Sequence, residues 1–399
     1  MSAGPPFRTA RLAPALRYGF AALLVALATS CERDAPQEPA AEEESADVLW
    51  APGDTLTDAE LEAGRLDDSW REAVKLGPPP RAREFPLDTI AIPEEWRTVR
   101  RPEAAGGEVF RVQTLLDRAG FYPGVLDGRW GKNTEKAVWW FQVNEGLEPT
   151  GAVDSLTFER LVQAAGEPPE PVVLHVLDED DVAGPFVPIP ADVYRQARLK
   201  CLCYETLSEK LSERFHASVG MLEELNPGLD LDALRAGDTI RVPAVDRAEP
   251  ESRPIDRVVV SGVGSYVHAL DAEGRIVYHF PTTVGSQYDP SPLGTLTVVG
   301  VFHDPWFHYQ PAILSGVDKS QPSTHLPPGP NNLVGTVWIK LSEPHYGIHG
   351  TRDPAAIGYA SSSGCVRLTN WNARLLADRI GAGLAVEFRD TRPAPDTGG

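Results

Sequence analysis

The sequence predicts a multidomain α+β protein in which a small helical domain and a small mixed module precede a mostly β domain. Apolar residues repeat at helical spacing over residues 108–166. A helix, a turn and a strand follow one another within residues 204–245, and short strand-like runs separated by turns fill residues 255–390. A chain of 399 residues with 37 prolines and 35 glycines is long enough for several domains joined by linkers.

The charge and apolar content narrow the functional class. The formal net charge of −20 argues against binding to nucleic acid, which requires a basic face for the phosphates. An apolar fraction of 42% is ordinary for globular protein, so the domains can bury true cores.

Residues 1–30 have the pattern of a secretory signal peptide. A positive first part is followed by an apolar run over residues 18–28, shorter than the roughly 20 residues that a membrane span needs. The run ends in Leu-Ala-Thr-Ser before Cys31, which resembles the lipobox of bacterial lipoproteins, although Ala28 stands where such sites usually have Leu. The resemblance implies lipidation of Cys31 and a membrane anchor. Simple secretion and an uncleaved anchor are the alternatives.

Residues 31–107 predict an acidic tether, because a segment rich in Pro, Ala and Glu cannot bury a core. Within the tether, Thr57 and Glu60 have the spacing of a capping box and predict a short helix over residues 57–76. Residues 391–399 are predicted to form a disordered tail.

Residues 108–166 predict three short helices that contain a set of recognisable motifs. The motifs are Val112-Gln113-x-Leu115-Leu116, Gly120-Phe121-Tyr122, Asp127-Gly128 and Gly131-x-x-Thr134-x-x-Ala137-Val138-x-x-Phe141-Gln142. With these motifs the segment is similar to the peptidoglycan-binding domain often fused to cell-wall enzymes, and the resemblance implies binding to the wall. A plain three-helix module without a ligand is the alternative. Trp139 and Trp140 would stack on sugar if exposed, but a Trp on an apolar helix is more often part of the core.

Residues 167–248 predict a small βααβ module. A strand-like run begins at Val172, a helix is expected from Leu207, and Asn226-Pro227-Gly228 ends a second apolar stretch before a final strand near Ile240. This pattern looks like a LysM domain, which binds glycan chains that contain N-acetylglucosamine. A degenerate module kept as a spacer is the alternative.

Beyond Cys31, the chain has three further cysteines. Cys201 and Cys203 would face the same side of a strand, so they are interpreted as a buried pair of thiols. Too few potential ligands lie nearby in sequence for a metal site. Cys365 is left over as a reactive thiol.

Cys365 and His349 are the candidate nucleophile and base. A thiol has a free pKa of about 8.5 and needs a partner to react near neutrality. An imidazole can take its proton and later return it to a leaving amine. Cys365 stands in Ser362-x-Gly364-Cys365-Val366-Arg367-Leu368, and His349 stands in Ile348-His349-Gly350-Thr351.

These two motifs resemble the signature of the L,D-transpeptidase (YkuD-type) catalytic domain, and the resemblance covers most of residues 255–390. It implies that Cys365 is the nucleophile, that His349 is the base and that the carbonyl of Gly350 orients the imidazole. Main-chain groups near Gly364 would form an oxyanion hole. Ser363 stands where the family usually has a second His, an auxiliary polar position. Ser291-Pro292-Leu293-Gly294-Thr295-Leu296 and Val334-Gly335-Thr336-Val337-Trp338-Ile339 resemble further family segments.

Four residues are expected to bind substrate: Ser362, Tyr346, Trp338 and Arg367. Arg367 would hold a stem-peptide carboxylate, with a structural salt bridge as the alternative. For Trp338, as for Trp306 and Tyr309, a place in the core is the alternative to a place in the substrate groove.

The prediction is therefore a periplasmic, lipid-anchored enzyme that forms 3-3 cross-links between peptidoglycan stems through a cysteine acyl-enzyme. An L,D-carboxypeptidase, an enzyme that attaches proteins to the wall, and an inactive wall-binding scaffold are the alternatives. Neither a metal nor a cofactor is expected, since the clustered histidines lack HExxH spacing. Papain-like wall peptidases are disfavoured because their Cys precedes their His along the chain.

Overall fold

The computed structural model describes residues 107–389, except residues 167–169, 246–252, 263, 286–290, 314–316, 361 and 363. The predicted signal peptide, Cys31, nearly all of the tether with its short helix, the C-terminal tail and Ser363 lie outside these residues. No helix among the described residues is both long and apolar enough to cross a membrane.

The first module consists of three helices, as the sequence predicts: α1 (Glu108–Arg118), α2 (Lys132–Glu145) and α3 (Ser155–Ala165). Its loop before α3 is fixed by the buried amide of Gln142, which accepts the N–H groups of Thr150 and Gly151 and donates to the carbonyl of Ala152. The side chain of Asp154 then caps α3 by accepting the N–H of Thr157 at 2.7 Å.

The second module has two paired strands with helices between them. Its elements are β1 (Val172–Val176), α4 (Glu179–Val182), α5 (Val193–Gln196), α6 (Leu207–Arg214), α7 (Val219–Leu225) and β2 (Thr239–Pro243). The strands pair antiparallel, with Val172 opposite Pro243. Side chains of Thr206 and Ser218 cap α6 and α7, which pack over the strands around a shared apolar core. The βααβ order expected from the sequence is present, with two short helices added.

The interpretation of Cys201 and Cys203 as a buried pair of thiols is wrong. The two residues form a disulfide, both are only half-buried, and neither belongs to a strand. The chain bends between them, so their Cα atoms are 5.2 Å apart and their sulfurs meet.

Among the described residues, the third module is built from ten strands and one α-helix. The elements are β3 (Arg257–Ser261), β4 (Tyr266–Leu270), β5 (Ile276–Pro281), β6 (Gly294–His303), β7 (Phe307–Tyr309), β8 (Thr324–Leu326), β9 (Val337–Leu341), β10 (Gly347–His349), β11 (Val366–Arg367), α8 (Asn370–Ala377) and β12 (Ala385–Arg389). Eight of the strands form one sheet with the order β11-β10-β9-β6-β12-β3-β4-β5. The pairs β10–β11 and β3–β12 are parallel and the others in this sheet are antiparallel. Strands β7 and β8 pair with each other as a hairpin apart from the sheet.

The helical module and the sheet share one core. Trp140 on α2 is 3% exposed, and its ring lies 5.0 Å from that of Tyr266 and 4.5 Å from that of His268, both on β4. Residues 120–122 run beside the edge strand β5, where the N–H of Tyr122 donates to the carbonyl of His279 at 2.9 Å. This contact covers a sheet edge that would otherwise offer unpaired main-chain groups.

Replacing Trp140 with Ala should remove the centre of that shared core. The free energy of unfolding is expected to fall by about 3–5 kcal/mol, because a large buried indole is lost. Urea denaturation followed by circular dichroism would measure the change. Trp139→Ala is the matched control, since this neighbouring indole is only half-buried. Equal losses in the two variants would contradict a special role for Trp140 at the interface.

Candidate active site

The parallel pairing of β10 with β11 brings the two signature motifs together. Ile348 lies opposite Val366, and His349 lies opposite Arg367. Side chains alternate between the faces of a sheet, so Ile348 and Val366 enter the apolar core while His349 and Arg367 share the other face. Cys365 directly precedes β11, and its sulfur accepts a hydrogen bond from the main chain of Gly347. The register thus places Cys365 and His349 on one side of adjacent strands.

His349 is held in one tautomer. Its Nδ1 lies 2.7 Å from the carbonyl oxygen of Gly350. A carbonyl can only accept, so Nδ1 has the proton and Nε2 has the free lone pair. Within the described part of the chain, the buried Nε2 has no hydrogen-bond partner. Trp338 stacks on the imidazole, with ring centroids 5.4 Å apart, and Gly347 gives that indole its room because a Cβ there would overlap the Trp338 ring.

The turn before the cysteine is fixed by buried hydroxyl groups. Gly364 has a φ of +99°, a conformation that favours glycine. Its carbonyl accepts the hydroxyl of Ser291 at 2.7 Å, and that hydroxyl also accepts the N–H of Gly285 at 2.9 Å. The hydroxyl of Ser362 donates to the carbonyl of Cys365 at 2.5 Å. Ser362 therefore stabilises the turn from inside.

The thiol of Cys365 donates to a main-chain carbonyl in this structure. Its Sγ lies 3.5 Å from the carbonyl oxygen of His345, a residue with a φ of +72°. Such a backbone is uncommon for a residue with a side chain and is found often at functional sites. Cys365 is the free cysteine among the described residues, and it is buried beneath the β7–β8 hairpin and Leu202 of the second module.

Burial keeps both reacting groups neutral. Removal from water raises the pKa of the Cys365 thiol to about 11, although a main-chain hydrogen bond from Gly347 and the charge of Arg367 oppose this rise. Burial, followed by the charge of Arg367, lowers the pKa of His349 to about 3. At pH 7 the resting site therefore holds a thiol and a neutral imidazole, and the imidazole is free to accept a proton.

The remaining predicted site residues have different surroundings. Arg367 is buried, and its charge acts on both Cys365 and His349. Trp338 is buried against the histidine, and Tyr346 is half-buried. Of the aromatic residues considered for a groove, Tyr309 lies in the core. Trp306 is 56% exposed.

Three groups that form hydrogen bonds around Cys365 and His349 were not assigned a role in the sequence analysis. Ser291 belongs to a recognised segment, but nothing local indicates that its hydroxyl binds the Gly364 turn. The carbonyl of His345 is a main-chain group, which sequence patterns do not single out. Asn370 follows Cys365 by five residues, and its side-chain oxygen accepts the N–H of Thr351 at 3.1 Å. Among the described residues, no group of three or more His, Cys, Asp or Glu side chains is placed to hold a metal ion.

Two regions of the chain match the models of known protein families. Residues 256–387 match the family model described as "L,D-transpeptidase catalytic domain", and residues 105–161 match the one described as "Putative peptidoglycan binding domain". The "Putative L,D-transpeptidase YkuD" of Bacillus licheniformis is 30% identical over 184 residues, which are 46% of this chain and 93% of that protein. The chain belongs to the L,D-transpeptidase family. The "Probable L,D-transpeptidase ErfK/SrfK" of Salmonella typhimurium is 26% identical over 186 residues, 46% of this chain and 59% of that protein.

A solved structure of an L,D-transpeptidase from Xylanimonas cellulosilytica is also similar. It has a TM-score of 0.33 and 16% identity, and the match covers 73% of this chain and 97% of that one. This likeness is too weak to support an argument about fold. Family membership of this L,D-transpeptidase rests on the sequence matches.

Alkylation should reveal the high pKa of the thiol. The thiolate is the reactive form, so the rate at which iodoacetamide labels Cys365 should keep rising between pH 7 and pH 10. Mass spectrometry of the peptide that contains Cys365 would measure this labelling rate at each pH. In the protein unfolded by urea, the rate should level off above the ordinary thiol pKa of about 8.5. A plateau below pH 8 in the folded protein would indicate a resting ion pair instead.

Proposed function

We propose that this L,D-transpeptidase joins peptidoglycan stem peptides by cysteine acyl-enzyme catalysis and forms 3-3 cross-links. The observation that supports it best is the placement of His349 beside Cys365, with Nδ1 bound to the Gly350 carbonyl and Nε2 free to act as the base. The peptidoglycan-binding domain in the same chain points to the same polymer.

In the first step the thiol turns from the His345 carbonyl, and its proton passes to Nε2 of His349. The sulfur attacks the carbonyl carbon between the third and fourth residues of a stem peptide. The C–N bond breaks, Nε2–H returns the proton to the leaving amine of D-alanine, and a thioester remains on Cys365.

In the second step an amine of another stem attacks the thioester carbon. That amine loses a proton to Nε2, and the proton returns to the sulfur as the C–S bond breaks. The enzyme is regenerated, and a 3-3 cross-link is formed. Water in place of the amine would give a tripeptide, the reaction of a carboxypeptidase.

The surroundings of Cys365 suit the charge that develops in both steps. The φ of Gly364 and the bond from Ser291 to its carbonyl fix the turn before the nucleophile, so main-chain N–H groups there are held in place for an oxyanion. Ser363, the auxiliary polar position of the same turn, lies outside the described residues. Arg367 adds a buried positive charge near the sulfur and is our choice for binding a stem carboxylate. We assign Tyr346 to the substrate surface as well.

The second module is proposed to be LysM-like and to hold glycan chains. Its support is the antiparallel β1–β2 pair with α6 and α7 packed over it. We further propose that the enzyme works in the periplasm and is anchored through a lipid on Cys31, because a tether of some 75 residues would then let the catalytic domain reach the wall.

A carbapenem tests the nucleophile and the base separately. Incubation of the protein with imipenem should add one drug-derived acyl group to the peptide that contains Cys365, as mass spectrometry would detect. Cys365→Ser should abolish the adduct. His349→Gln should slow its formation by roughly 10²–10⁴-fold, the usual contribution of a general base. No adduct on a folded wild-type protein with a free thiol would argue for an inactive scaffold.

Purified muropeptides test the reaction itself. We expect loss of D-alanine together with 3-3 dimers, measured by liquid chromatography and mass spectrometry. Cys365→Ser is the control and should leave the muropeptides unchanged. Tripeptides without dimers would instead identify a carboxypeptidase.

A further inference from the structure

A buried amide connects the active-site histidine to the second module. Asn370, the first residue of α8, is fully buried, and its Oδ1 accepts the N–H groups of Thr336 at 3.2 Å and Thr351 at 3.1 Å. Its Nδ2 donates to Oε2 of Glu213 at 2.8 Å and to the carbonyl of Pro330 at 3.2 Å. The amide oxygen accepts two hydrogen bonds and the amide nitrogen donates two, which fixes the orientation of the amide.

The bond to Thr351 acts directly on the histidine. The N–H of Thr351 and the carbonyl of Gly350 are the two ends of one planar peptide group. The carbonyl end accepts the Nδ1 proton of His349, and the N–H end donates to Asn370. The tilt of this peptide therefore sets the direction of the Nδ1–H bond, and hydrogen bonds in such a series polarise one another.

Two glycines make the close approach possible. A Cβ on Gly350 or on Gly335 would overlap Oδ1 of Asn370. The φ of Gly335 is +62°, so its backbone also favours glycine. The contact between the amide and the peptide is thus built into the local sequence of the transpeptidase domain.

The carboxyl group that accepts the hydrogen bond from Nδ2 of Asn370 belongs to the second module. Glu213 lies on α6, and its second oxygen accepts the hydroxyl of Tyr204 at 2.8 Å. Burial raises the pKa of Glu213, while the donors Asn370 and Tyr204 act in the opposite direction. Its carboxyl group is therefore held inside the interface between the modules.

We propose that Glu213 is a positioning residue for the transpeptidase: through Asn370 and the Gly350–Thr351 peptide, it fixes the tautomer and direction of His349. This inference rests on the function proposed above. The βααβ module is then part of the catalytic machinery as well as a candidate glycan-binding unit.

The same helix offers a matched control. Glu209 lies one turn before Glu213 on α6, and it accepts a hydrogen bond from Nδ2 of Asn331 at 2.7 Å, again across the module interface. The other bond of that Nδ2 goes to the carbonyl of Cys203. Glu209 is thus the same residue type with a similar contact, but its partner does not touch the peptide that holds His349.

The test is a reciprocal exchange in the full-length protein. Asn370→Asp would set two carboxyl groups against each other and should lower the rate of Cys365 acylation by imipenem roughly 10- to 100-fold, with an unchanged half-saturating concentration. Adding Glu213→Gln should restore most of the rate, because the introduced amide can donate to the introduced carboxylate. Adding Glu209→Gln instead makes the same substitution one turn earlier on α6 and should restore nothing.

The Nδ1 proton of His349 gives a readout that needs no reaction. In the ¹⁵N-histidine spectrum of the wild type, assigned by its absence in His349→Gln, this proton should be strongly downfield. Asn370→Asp should shift it, and Glu213→Gln should return it. Thermal denaturation would check that each variant is folded.

The outcomes separate the two proposals. Equal rescue by Glu213→Gln and Glu209→Gln, or an unmoved Nδ1 resonance in Asn370→Asp, would overturn the positioning role. If the wild type does not react with imipenem although the resonance moves and returns as expected, the link from Glu213 to His349 is supported and the proposed function fails.

Discussion

The hydrogen-bonded pairing of β10 with β11 is the interaction on which the site depends. A slip of one residue would turn His349 into the core and bring Ile348 to the catalytic face. The register is held from outside the pair, since the main chain of Thr283 binds that of Arg367 through both its N–H and its carbonyl. The position of the short strand β11 is thus fixed in part by main-chain hydrogen bonds to a neighbouring segment.

Burial within the protein decides the resting charge of Cys365 and His349. A buried thiolate–imidazolium pair would have to repay the loss of two hydration shells, and here the neutral forms are favoured. The nearby charge of Arg367 opposes protonation of His349 and favours ionisation of Cys365. Its two effects on proton transfer from Cys365 to His349 therefore oppose each other. The resting site thus holds a neutral thiol and a neutral imidazole rather than a preformed ion pair.

Local patterns were sufficient for much of the fold. The three helices expected within residues 108–166 are α1 to α3, and the short strands expected within residues 255–390 are β3 to β12. The motifs around His349 and Cys365 also identified the residues that the structure brings together.

What the sequence did not reveal depends on contacts between distant segments. Asn370 and Glu213 are 157 positions apart, and their bond leaves no periodic pattern. The hydroxyl of Ser291 reaches Gly364 across 73 positions. The disulfide of Cys201 was missed for a different reason, since a bend between close residues was interpreted as a strand.

The burial of Trp140 has a consequence for how this chain can be divided. The helical module supplies neighbours for the edge strand β5, and the side chain of Asn144 accepts the N–H of Ile276 there. Excising residues 255–390 as an independent piece would leave Tyr266, Leu270 and a bare strand edge facing water, a surface prone to self-association. A piece that keeps this contact must therefore begin at the first helix, well before residue 256, where the catalytic-domain match starts.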